Sequence, residues 1–286
     1  MTDTADSVLR ASFAGRGDEL RLSIDPSFQG LPDAAHGGSV LAAFDAAAGV
    51  PTPHEVRGIY RRRVPLGVPL RLRVGRRDGA VTCRLFDETD AVLVEGHVAP
   101  AAAAPTPPPG PPGEPVAAAG RGASLPVSST CFACGVQNRL GLRVHLSCDD
   151  ARVWGRWQPP ATAAGADGSL APIALTALLD EAAFWLGALA SGEAGMTTDL
   201  AVVLTGPVPF GEPIEVTGAR GATRVRAEDP RYWDTEITAR DAAGRVVATA
   251  RITFVAVRGA ARRLVSGLLA LNPPDVLRRV FPAYTP

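Results

Sequence analysis

The chain has 286 residues, 46% of them apolar, and carries 29 acidic and 29 basic side chains for no net charge. That length holds two ordinary domains or one large one, and the balanced charge excludes the basic excess that non-specific nucleic-acid binding needs. No run of eighteen apolar residues occurs and the start, Met1-Thr2-Asp3, is polar and acidic, so the expectation is a cytoplasmic protein with no membrane partner and four reduced cysteines.

In chain order, residues 19–26 alternate as a strand does. A glycine-containing loop then leads to His36-Gly37-Gly38 and an apolar helix that carries Asp45. Val64-Pro65-Leu66-Gly67-Val68-Pro69-Leu70 follows, and prolines flanking a glycine fit a sharp bend between strands. Residues 84–87 and 92–96 then pair as a hairpin. Residues 101–128 are a run of Ala, Pro and Gly that cannot bury a core and reads as a semi-rigid linker.

Beyond it the same features return in the same order. Residues 152–159 alternate, a loop leads to Ala171-Pro172, and an apolar helix carries Asp180. Val208-Pro209-Phe210-Gly211-Glu212-Pro213-Ile214 repeats the bend, and residues 239–250 repeat the hairpin. Four features kept in order mark an internal repeat. Each unit reads as strand, helix and several antiparallel strands, an α+β pattern. The predicted boundaries are residues 1–100, a linker at 101–128, a second unit at 129–257 and a tail at 258–286 with a short amphipathic helix near 262–271. The second helix, near 171–190, is apolar on almost every face, which predicts burial inside a curved sheet.

These features resemble the hotdog fold, in which an antiparallel sheet wraps one long helix. His36-Gly37-Gly38 followed by Asp45, together with Pro65-Leu66-Gly67-Val68-Pro69, is similar to the PaaI-like acyl-CoA thioesterases. Cys131-Phe132-Ala133-Cys134-Gly135 with Gly141-Leu142 resembles the start of related hotdog proteins. The resemblance spans residues 10–100 and 130–257. It implies hydrolysis of thioesters of coenzyme A or an acyl-carrier protein. It also implies paired units whose helices run antiparallel, a pairing that a tandem chain makes internally, with such pairs building a homo-oligomer.

Thioester hydrolysis needs a donor for the developing oxyanion and a carboxylate that activates water or attacks the carbonyl. Gly37 and Gly38 are the candidate donors, their missing side chains letting a carbonyl approach the backbone. Asp45, Asp180 and the adjacent Glu181 are the candidate acids. Asp45 lies about 12 Å along its helix from Gly37, too far to share one thioester carbon with it. In an antiparallel pair Gly37 instead meets Asp180, while Asp45 faces Pro172, which has no N–H to give. The expectation is one competent composite site and one impaired one. The bland alternatives are a structural Asp, a His36 that only orients its turn, and a glycine pair that only starts a helix.

Arg61 and Arg63, on one face if the strand continues through them, are candidates for coenzyme A phosphates. Cys131-x-x-Cys134 invites a zinc reading with His145 and Cys148, but alternation sends residues 145 and 148 to opposite faces, so no metal is expected. No cofactor is expected beyond coenzyme A as part of the substrate. His54 and His97 lack motif partners and read as surface or structural. The leading function is thioester hydrolysis. The alternatives are a thioester-handling dehydratase or cyclase of the same fold, and a non-catalytic acyl-CoA-binding protein.

Overall fold

The computed structural model describes residues 3–101 and 122–285. The first unit comprises α1 (Ala5–Ala11), β1 (Phe13–Arg16), β2 (Glu19–Leu22), α2 (Gly37–Ala48), β3 (His54–Tyr60), β4 (Leu70–Arg77), β5 (Ala80–Phe86) and β6 (Val92–Pro100). The second comprises β7 (Ala123–Ser124), β8 (Ser147–Cys148), β9 (Arg152–Trp157), α3 (Pro172–Ser191), β10 (Gly195–Leu204), β11 (Ile214–Ala219), β12 (Arg224–Val225), β13 (Tyr232–Arg240) and β14 (Val246–Ala256). Two tail helices follow, α4 (Ala260–Leu268) and α5 (Pro274–Val280).

The strands form one 14-stranded sheet whose order shows the repeat. Outward from the middle, the first unit runs β3-β6-β5-β4-β2 and the second runs β10-β14-β13-β11-β9. The halves join where β3 pairs antiparallel with β10, Val56 opposite Val202, and Arg57 bonds Asp199 across the seam at 2.6 Å. Both Pro-Gly-Pro bends fall between corresponding strands, β3 to β4 and β10 to β11. Two hotdog units in one chain are thus present, of the α+β class expected.

The helices follow from local chemistry. Left-handed glycines, Gly49 at φ 61° and Gly192 at φ 70°, close α2 and α3, a conformation that side-chain-bearing residues avoid. Pro172 opens α3 as its first residue, where a missing N–H costs no helical bond. By length and composition α3 could cross a membrane, yet 83% of its most apolar stretch is buried inside the protein. It is the central core helix that its all-round apolarity predicted.

Gly38 sets how closely the two helices approach. A Cβ there would meet the Thr176 carbonyl and stand 2.6 Å from the Ala177 Cα. Gly37, one residue earlier, lies against Asp180, so the two helices run in opposite directions along their contact. The Thr176 hydroxyl ties them together by donating to the Gly38 carbonyl at 2.8 Å.

One predicted boundary differs in the structure. Most of the predicted linker lies outside the described residues, but its end belongs to the second unit: β7 pairs with β8, and Leu125 is buried. The tail is built into the body. Phe281 is fully buried against Trp185, and Asn272 exchanges hydrogen bonds with the Val127 backbone.

Candidate active site

A cavity of about 480 Å³ opens beside the start of α2 and the middle of α3. His36, Gly37, Tyr60, Asp180, Glu181, Phe184 and Thr197 line it, with Cys131 and Cys134 from the loop after β7. Arg263, Leu264 and Leu268 of α4 complete the wall, so the tail is part of the cavity and does more than pack on the body.

Asp180 is held from three sides. The Gly38 N–H donates to its Oδ2 at 2.9 Å, the Thr197 hydroxyl donates to its Oδ1 at 2.6 Å, and His36 Nδ1 lies 3.2 Å from Oδ2. The first contact is a carboxylate at a helix N-terminus, where unpaired N–H groups and the helix dipole favour negative charge. Asp180 therefore meets the glycine pair across the helix contact, as the helix lengths implied.

The two glycines divide the roles expected of the pair. The Gly38 N–H already serves Asp180, so it is not a free oxyanion donor. Missing side chains make room for protein and not for substrate, since a Cβ on Gly37 would stand 2.7 Å from Asp180 Oδ2. Gly37 is the glycine that lines the cavity, and its N–H meets no acceptor among the described residues. The Tyr60 hydroxyl donates to the Gly37 carbonyl at 2.6 Å and pins that peptide. Burial, then the charges of Asp180 and Asp199, push the Tyr60 phenol well above its ordinary value, so it stays a donor.

His36 caps α2 with both imidazole nitrogens facing acids, Nδ1 towards Asp180 and Nε2 3.7 Å from Glu181 Oε2. Burial lowers its pKa, but the neighbouring Glu181 carboxylate and the charges of Asp180 and Cys131 outweigh this and raise it to about 9. An imidazolium cannot accept a bond. The Gly38 proton therefore goes to Asp180, and Nδ1–H donates to the same oxygen although it also lies 3.2 Å from Gly38 N. Glu181, about 100° around the helix from Asp180, borders the same cavity because it turns towards His36. Its Oε1 accepts from the Trp185 indole at 2.8 Å.

Asp45 has different company. Its Oδ1 lies 2.7 Å from Nε2 of buried His54, a partner the sequence did not suggest. The N-terminal helix closes this end. Ala5, Asp6 and Leu9 are buried, and Arg10, bonded to Asp6 at 2.8 Å, also feels the charges of Asp45 and Asp167.

Arg61 and Arg63 follow the end of β3 and so share no strand face, contrary to expectation. They nevertheless line the cavity with Arg62, Arg61 bonded to Glu95 at 2.8 Å and Arg63 donating to the Met196 sulfur at 3.3 Å. Of the predicted zinc set, His145 is exposed and Cys148 is buried in the core, consistent with opposite faces. Cys131 and Cys134 instead face the cavity, because their loop docks on the first unit. Phe132 N–H donates to the Gln29 carbonyl at 2.6 Å, its ring packs on Phe28 at 5.0 Å, and Asn138 donates to the Ser27 carbonyl at 2.7 Å. Sequence reasoning missed the site roles of Thr197, Tyr60 and this cysteine loop. Only the Cys-x-x-Cys pair left a local signal.

No protein-family model matches the sequence, and no curated sequence matches it. Solved structures do match its fold. A thioesterase II, so described provisionally, from Thermobifida fusca superposes with a TM-score of 0.59 at 16% identity, covering 90% of this chain and 99% of its own. A hot dog fold protein of unknown function from Alicyclobacillus acidocaldarius gives 0.60 at 12% identity, covering 88% and 97%. The dehydratase domain of a curacin polyketide synthase module gives 0.53 at 12% identity, covering 85% and 93%. At these identities the likeness establishes the double hotdog fold over nearly the whole chain. The PaaI-like subfamily expected from the motifs is not among what it establishes.

Proposed function

We propose that the protein hydrolyses acyl thioesters at the Gly37–Asp180 site. The observation that carries this is the position of Asp180, a carboxylate oriented by Thr197 and the start of α2, in a cavity that Gly37 also lines. A thioester carbonyl resting against the Gly37 N–H places its developing oxyanion at a helix N-terminus, where backbone donors stabilise it. Asp180 Oδ1 then takes a proton from the attacking water, and as the C–S bond breaks that proton passes to the leaving thiolate. If Asp180 attacks the carbonyl carbon itself, the thiolate leaves with a proton from water and a second water cleaves the mixed anhydride. Thr197 holds that carboxylate in one orientation, which keeps the geometry reactive. Phe184, Trp185 and Leu264 offer an apolar wall for the acyl chain, and Arg61, Arg62 and Arg63 supply positive charge for the phosphates of coenzyme A or of a phosphopantetheine carrier. Similarity in fold to a structure described as a thioesterase supports the reading.

One contact favours a dehydratase: His36 and Asp180 meet across the helix pair at 3.2 Å, the His-plus-acid combination that such chemistry uses. Against it, acids occupy both His36 nitrogens, so neither is free to abstract a proton. Incubating the protein with a panel of acyl-CoAs and 3-hydroxyacyl-CoAs separates the readings. Hydrolysis releases free thiol. Elimination of water without thiol release would overturn the proposal in favour of the dehydratase, and tight binding with neither would favour a binding protein.

A further inference from the structure

The geometry points to a divalent-metal site of zinc type formed by His36 Nε2, Cys131 Sγ and Glu181 Oε2 at the inner end of the cavity. These three atoms lie within 4.8 Å of one another. His36 Nε2 is 3.7 Å and Cys131 Sγ is 3.9 Å from the same Glu181 oxygen. Zinc bonds of about 2.0–2.3 Å place tetrahedral ligands about 3.4–3.8 Å apart, so these separations are close to the edges of such a polyhedron. An imidazole, a thiolate and a carboxylate are the donors this ion takes, and softness excludes magnesium and calcium from the set.

The surroundings support coordination independently of the distances. A ligating histidine usually gives its other nitrogen to a carboxylate, and here His36 Nδ1 lies 3.2 Å from Asp180. Ligating carboxylates are themselves hydrogen-bonded, and Trp185 engages Glu181 Oε1 while leaving Oε2 for an ion. All three side chains are buried yet border the cavity. Cys134 adjoins Cys131 and Glu181, offering a second thiol to the fourth position. Without an ion, the same place crowds two acids, two thiols and an imidazole into the interior. The three donors come from the start of α2, the middle of α3 and the docked cysteine loop, so an ion would pin both units together. It would leave Gly37, Thr197 and Asp180 Oδ1 uncoordinated, and the site stands whether or not a thioester is cleaved.

The test uses the full-length chain, stripped with a chelator and kept under a phosphine reductant so that no Cys131–Cys134 disulfide forms. Titration with Zn²⁺ against a chromogenic chelator is expected to show one ion per chain. Co²⁺ in its place should give a thiolate-to-metal charge-transfer band. Cys131→Ser should abolish both signals, whereas Cys148→Ser, at a buried thiol elsewhere, should change neither. Trp185→Phe keeps every donor but removes the bond to Glu181, and should weaken zinc binding about tenfold. Failure of the reduced wild-type chain to bind Zn²⁺ stoichiometrically, or binding unaltered in folded Cys131→Ser, would overturn the site.

Discussion

The two ends of the helix pair hold equivalent places in the repeat and differ in what their acids touch. Asp180 meets a helix start with an N–H to offer, a threonine hydroxyl and a histidine, and it borders a cavity. Asp45 contacts a buried histidine under a short N-terminal helix, and the opposing helix begins with a proline. The comparison teaches that an acid at the repeat's equivalent position is not enough. Donors around it decide whether it is oriented towards a ligand-sized cavity or paired with a neighbouring side chain.

The largest expected effect separates the two acids directly. Removing a catalytic acid-base group costs about 10²–10⁴-fold in rate. Asp180→Asn should lower thiol release by that factor, while Asp45→Asn should leave kcat/KM at the wild-type value. Equal losses would erase the distinction between the ends, and loss only with Asp45→Asn would reverse it. Next comes the threonine that donates to Asp180. A hydrogen bond to a charged group contributes about 1.5–3 kcal/mol, and each 1.36 kcal/mol on the barrier is tenfold in rate. Thr197→Val should therefore slow release about ten- to a hundredfold with little change in melting temperature. A normal rate would mean that the α2 N-terminus alone orients Asp180.

The Asp45 end predicts the opposite pattern. Taking one partner from a buried polar contact costs about 1–3 kcal/mol. His54→Ala should lower the unfolding free energy by that amount in denaturant titration while leaving thiol release unchanged. A loss of activity without a loss of stability would show that the Asp45 end is a working site.

Much of this asymmetry was legible in the sequence, for physical reasons that differ by residue. The repeat order follows from local punctuation, the two Pro-Gly-Pro bends and two hairpins, and each falls between corresponding strands. The meeting of Gly37 with Asp180 follows from helix rise and the antiparallel pairing. The sequence does not show that the Gly38 N–H is taken by Asp180, or that Gly38 packs on Ala177, because both lie on another helix 140 residues or so away along the chain. His54 and Thr197 sit at strand positions whose partners depend on how the sheet curves over the helices. The cysteine loop was opaque for the same reason. Its place at the site depends on Phe132 and Asn138 docking on Phe28 and Ser27, contacts that no periodicity encodes.

The smallest effect asks whether the open end is also where the carrier enters. Arg63 is exposed where it lines the cavity, and among the described residues its hydrogen bond goes to the thioether sulfur of Met196. An exposed ion pair is worth about 0.2–1 kcal/mol, so Arg63→Ala should raise KM for an acyl-CoA at most about fivefold and leave kcat unchanged. Added salt should shrink the difference, since mobile ions screen surface charges within about 10 Å at 0.1 M. A thioester of the same acyl group on a short phosphate-free thiol supplies the control. Its KM should be the same for both proteins, because it brings no phosphate for the arginine to meet. If the variant binds the phosphate-free substrate equally poorly, Arg63 shapes the mouth rather than reading the carrier. The acyl chain alone would then distinguish the Asp180 end from the Asp45 end.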